Sequence, residues 1–221
     1  MHGPQWLNKL ERKFGRFAIP NIMSIILVGM VVIYCADILI TFNPDAEAPV
    51  SSLFDFRRER IFSGEVWRLI TFVFLPPDVG ILFAVFEFYF IWLLGVGLEN
   101  RWGSFKFNIY FLIGMLSTMA VGFWVGYAVN YYMILTLFLA FAYLFPNFEV
   151  LLFFFIPVKI KWLGLIEGLA LLITFIVGGW VMKLFLLASV LNFVIFFGKD
   201  LVLNVYYRLR RFYHLKLKKR K

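Results

Sequence analysis

The sequence predicts an all-α membrane protein, a bundle of six transmembrane helices with a large first external loop, and three observations carry that reading. Composition is the first. Of 221 residues, 62% are hydrophobic, only 16% are charged and 29 are Phe, whereas a soluble domain runs at about half apolar and about a quarter charged. A chain this small has too much surface to hide so much Phe, Leu and Ile from water. The second observation is that the apolar residues fall largely in runs of about 20, the length of helix that crosses ~30 Å of hydrocarbon. The third is that the formal net charge of +9 sits mainly at the two ends of the chain.

The spans follow in order. Asn21 to Thr41 is the first, with Asp37 near its end; Val79 to Leu98 is the second and encloses Glu87; Phe107 to Val129 is the third and carries no charge. Tyr131 to Phe145 is the fourth, Trp162 to Val177 the fifth, enclosing Glu167, and Met182 to about Val205 the sixth. Pro20 suits the first turn of a helix, Pro76-Pro77 breaks the chain before span two, Pro146-Asn147 closes span four, and Gly178-Gly179 turns the chain between spans five and six. Val150 to Val158, between spans four and five, is too short to cross alone. Spans four and five are short, about 15 apolar residues or about 22 Å of helix, which demands local bilayer thinning or burial among longer neighbours. No small-residue cleavage site follows the first run, so no cleavable signal peptide is expected.

Orientation follows from Lys and Arg. Lys9, Arg12, Lys13 and Arg16 precede span one; Arg101 and Lys106 follow span two; Lys159 and Lys161 follow span four; the tail runs basic from Arg208 to Lys221. With six spans all four segments share one side, which the positive-inside rule makes cytoplasmic. The expected organisation is a basic cytoplasmic N-terminus over 1–19, a membrane domain over 20–205 with its first loop at 42–78, and a basic cytoplasmic tail over 206–221. The host membrane is expected to be a bacterial cell membrane, or the endoplasmic reticulum in a eukaryote. Within the loop, Val66 to Leu75 is too short to span and too apolar for water. It is expected to be interfacial or re-entrant, anchored at headgroup depth by Trp67 and Arg68. The tail follows a span directly, so it points to anionic lipid or a soluble partner rather than to nucleic acid.

These residues carry a resemblance. The Trp67-Arg68 pair in the first loop, the run Gly95-Val96-Gly97-Leu98-Glu99-Asn100-Arg101-Trp102-Gly103-Ser104-Phe105-Lys106-Phe107, and the connection from Leu144 to Trp162 together resemble the rhomboid superfamily from about Ile61 to Gly198. The resemblance implies a six-helix rhomboid bundle. Active members carry Gly-x-Ser-Gly on helix four and a His base on helix six. Here helix four has neither Ser nor Gly, leaving Thr136 as its hydroxyl, and Ser189 stands about where the histidine belongs. Both histidines, His2 and His214, lie in the terminal segments, so no intramembrane Ser-His pair exists. What the resemblance then implies is a pseudoprotease similar to the derlins, which handle membrane-protein clients. It is expected to bind transmembrane helices and membrane lipids without cleaving peptide bonds.

The remaining chemistry is sparse. One cysteine (Cys35) and two histidines exclude an intrachain disulfide and an ordinary Cys/His zinc cluster, and nothing implies a metal or cofactor. Glu87 and Glu167 lie within spans, where an ionised carboxylate costs at least ~2.5 kcal/mol, so each is expected to face protein or water, in a structural or a client-binding role. Glu99, Arg101, Trp102 and Gly103 read as a structural lock at a cytoplasmic turn. Asn192 is expected to bond across helices, for about 0.6 to 2 kcal/mol. Two alternatives remain: an atypical intramembrane protease using Thr136 or Ser189, and a small transporter or channel lined by Glu87 and Glu167.

Overall fold

The computed structural model describes residues 5–42, 48–152 and 155–198. His2, His214, the tail from Arg208 and the end of the sixth span beyond Gly198 lie outside the described residues.

The chain opens with a helix that the apolar runs do not announce, α1 (Gln5–Phe14). Lys9, Arg12, Lys13 and Arg16 recur at the spacing of one helical face and are exposed, while Leu7 is buried and Glu11 pairs with Lys106 at 3.2 Å. Three- and four-residue spacing places the basic side chains together and opposite the docked face. The long α2 (Ile22–Thr41) follows, and then a connection built of single turns: β1 (Phe56–Arg57), α3 (Arg58–Phe62), α4 (Arg68–Thr71) and a 3-10 turn at Phe72–Phe74. The stretch expected to lie at the interface is therefore one helical turn continued by a tighter one. It faces two ways: Phe72 and Val73 are buried, whereas Val66, Trp67 and Ile70 are exposed.

Two 22-residue helices come next, α5 (Ile81–Trp102) and α6 (Ser104–Val125). They are separated by Gly103 alone, whose φ of 84° lies where only glycine is at ease. β2 (Tyr127–Ala128) pairs antiparallel with β1, and α7 (Tyr131–Leu144) follows. The Val150–Val158 run forms neither a span nor a loop. It makes a hairpin in which β3 (Glu149–Leu152) pairs antiparallel with β4 (Ile156–Lys159). The last described helices are α8 (Ile160–Val177) and α9 (Trp180–Gly198), with Gly178-Gly179 between them as the sequence leads one to expect.

Among the described residues five helices, α2, α5, α6, α8 and α9, are long and apolar enough to cross a bilayer. This is a multi-pass, all-α membrane protein with two small two-stranded sheets beside its helices. α7 is the short one, 14 residues or about 21 Å. α8 corrects one expectation: its 18 residues take in Ile160 and Lys161, so the fifth span is longer than the apolar run alone implies, and shortness is a property of α7.

α5 is central and packs on α2, α6 and α7. A bilayer provides no hydrophobic drive between helices, so close approach at small residues does the work. Gly95 lies against Met23 of α2 and Gly97 against Phe141 of α7, and a β-carbon at either would overlap its neighbour. α9 docks through Phe196 and Phe197, whose rings lie 6.1 and 5.6 Å from that of Trp102. α8 is the exception. It packs on α7 and β4, and its only buried described residue is Ile160 at its foot.

Candidate functional site

Trp67 and Arg68, adjacent in sequence, part company in space. Trp67 is exposed at the surface, its Nε1 donating to the Leu53 carbonyl at 3.3 Å. Arg68, expected beside it at headgroup depth, is 1% exposed. Its Nε donates to Glu65 Oε2 at 2.6 Å. Its Nη1 donates to the carbonyls of Ser52 (2.8 Å) and Asp55 (2.9 Å) and to Asp55 Oδ1. A planar guanidinium suits this role because it presents several fixed donors at once. The Arg68 hydrogen bond holds the Glu65 carboxyl below its ordinary pKa, helped by Arg60.

The loop around Arg68 is clamped to three helices. The Ser51 amide donates to Asp37 Oδ1 at the end of α2 (3.0 Å). Arg58 Nη1 donates to the Phe123 carbonyl in the last turn of α6 (3.0 Å), where a cation also meets the negative end of the helix dipole. Asn130 Nδ2, just before α7, donates to the Leu75 carbonyl (2.8 Å).

At the opposite end of α5 the expected lock is only partly assembled. Glu99 is buried and accepts from the Asn21 amide (2.8 Å) and from Ser104 Oγ (2.6 Å), joining the starts of α2 and α6. Trp102 tilts against Tyr110 with ring centroids 5.3 Å apart and receives the two α9 phenylalanines. Gly103 supplies the turn. Arg101 is exposed and takes no part.

Thr136 and Ser189 are both buried. Each hydroxyl donates back along its own helix, Thr136 Oγ1 to the Met133 carbonyl (2.8 Å) and Ser189 Oγ to the Leu186 carbonyl (2.9 Å). The residue that joins these helices is Tyr110, which the sequence reading passed over. Its hydroxyl donates to the Thr136 carbonyl (2.8 Å), and its own carbonyl accepts from Asn192 Nδ2 (3.2 Å). The expected cross-helix bond of Asn192 is therefore present, although Asn192 Oδ1 is buried with no protein partner. The polar atoms here are spent on packing, and no acceptor positioned to deprotonate either hydroxyl accompanies them among the described residues.

Glu87 and Glu167 come together differently. Both line a groove of about 420 Å³ whose walls are α5 and α8 and whose floor is α7. Apart from the carboxylates, and Tyr131 at the rim, the lining is apolar, with Phe83 and Phe90 on one wall, Leu135 and Phe138 on the floor, and Ile166 opposite. Each carboxylate is half-buried. Tyr131 is within electrostatic reach of both. Neither acid forms a hydrogen bond or ion pair with a described residue. Periodicity could place each acid on a wall, but only the fold sets the two walls on one groove.

No protein-family model matches the chain, and no curated protein or solved structure matches it.

Proposed function

We propose that this protein is a rhomboid-like pseudoprotease with six spans and both termini in the cytoplasm, which binds transmembrane helices of other membrane proteins in the α5–α8 groove and thins the bilayer beside it. The observation that carries this reading is the groove itself. It is lined almost entirely by apolar side chains, lies between two helices long enough to span, and has as one wall a helix buried only at its foot. A wall with so little buried surface is among the weakly packed parts of the fold, from which mobile elements are generally drawn. The short α7 behind the groove supports the thinning part of the proposal, since a span of about 21 Å leaves a mismatch with ~30 Å of hydrocarbon.

The hydrolytic alternative has less behind it. Thr136 and Ser189 both donate to carbonyls of their own helices, whereas a nucleophile needs a base within hydrogen-bond reach.

The test is photocrosslinking of the reconstituted full chain. A probe at Phe83 on α5 or Ile166 on α8 is expected to trap single-span helices, while one at Val28 on the exposed face of α2 traps lipid alone. Recovery of lipid alone from all three positions overturns the proposal. Cleavage of the trapped helix that vanishes in Thr136→Ala or Ser189→Ala moves the reading to the protease.

A further inference from the structure

The groove carries more than apolar surface. We infer that its preferred occupant is a transmembrane helix bearing one basic side chain in the outer half of the membrane, held by Glu87 and Glu167. The inference rests on the docking reading above and names the chemistry that the docking site selects.

Three facts lead to it. The first is that the two carboxylates line one groove on opposite walls, and no described cation pairs with either. An ionised carboxylate in a span is costly, and such groups are generally found paired. An unpaired set beside an open groove is complementary to a cation that arrives with the occupant.

The second fact is depth. Glu87 lies six residues below Ile81, the outer end of α5 in the six-span layout, or about 9 Å of rise. Glu167 lies ten residues below Val177, the outer end of α8, or about 15 Å. The two levels differ by about one helical turn, within the reach of a single Lys or Arg side chain. A cation at this level has no nearby headgroup to pair with, so the carboxylates offer it more than lipid does.

The third fact excludes a simple self-association through this groove. In the five long helices the described Lys and Arg residues are Arg101, Lys106, Lys161 and Lys183, all within the first or last few residues of a helix. Among the described residues a second copy of the chain carries no cation at a level between the two carboxylates, Lys183 standing nearest the outer surface. The occupant inferred is therefore a helix of a different chain.

The experiment uses the full protein in lipid nanodiscs with a photoprobe at Ile166, and three single-span test helices of Leu and Ala. One carries Lys about 12 Å below its outer end, one carries Leu at that position, and one carries Lys a turn from its inner end. The outer-half Lys helix is expected to be trapped about tenfold more than the Leu helix, with no such advantage for the inner Lys. In the Glu87→Gln/Glu167→Gln double variant the Lys-to-Leu ratio is expected to fall to about one. Equal trapping of all three helices by the wild-type protein overturns the cation preference while leaving helix docking intact. A Lys advantage that persists in the double variant also overturns it. Trapping of none removes the docking reading itself, and this inference with it.

Discussion

Arg68 and the pair Glu87 and Glu167 are ionisable groups withdrawn from bulk water, and their surroundings could hardly differ more. Arg68 meets two carboxylates and two backbone carbonyls, all within one folded loop. The two glutamates meet apolar walls and no described cation. A buried charge whose Nε and Nη1 donors are both engaged inside the chain is holding a structure together. A half-buried carboxyl with no partner among the described residues is an interaction left open, because the fold bears its cost without a return inside the chain. The contrast separates the part of this molecule that is frame from the part that is available to a ligand.

That comparison breaks most visibly at Arg68. Arg68→Ala is expected to destabilise the protein by about 3 kcal/mol, because it removes the buried donor that joins Asp55, Glu65 and the Ser52 carbonyl, leaving only the exposed Arg57 and Arg60 to meet the carboxylates. The readout is thermal unfolding in detergent together with protease access to the loop. Arg68→Lys is expected to recover only part of the loss, since a point charge cannot replace a fork with several directed donors.

A smaller effect is expected from acid. The Glu65 carboxyl is held below its ordinary range by the Arg68 hydrogen bond, so its folded pKa lies beneath its unfolded one. Its stabilising contribution is fully present above the unfolded value of about 4.3 and is lost as pH falls through the folded value. Unfolding curves taken downward from pH 6 are expected to show this loss, and Arg68→Ala is expected to flatten it. An unchanged acid limb in that variant would dissociate Glu65 from the network.

The smallest effect is expected at the groove. Glu87→Gln and Glu167→Gln should each alter stability by no more than about 0.5 kcal/mol, since no partner inside the chain is lost. If either costs as much as Arg68→Ala, the carboxylate belongs to the frame and the contrast fails.

Much of the frame was legible in the sequence. Gly103 before Ser104 marks a sharp change of direction. The apolar runs foretell every long helix to within a few residues. α1 was hidden in plain view: Lys9, Arg12, Lys13 and Arg16 keep helical spacing, but read as charge alone they look like an unstructured end. The hairpin at β3 and β4 was hidden because strand periodicity cannot be told from any short apolar run in so hydrophobic a chain. Asp55 and Ser52 as partners of Arg68, and Tyr110 as the bridge to Thr136 and Asn192, follow no sequence spacing at all.

By itself the sequence determined the solvent of this protein, the approximate positions of its long apolar helices, and the absence of histidine from its apolar runs, because hydropathy and helix rise are local quantities summed along the chain. Only the tertiary structure decided that Arg68 turns inward while Trp67 turns out, that Thr136 and Ser189 give their hydrogen bonds to their own helices, and that Glu87 and Glu167 share one groove. Those outcomes depend on which helices approach at Gly95 and Gly97 and which helix is left loosely packed. In a bilayer that choice is made by close packing between distant segments, not by hydrophobicity, which favours no helix pair over another.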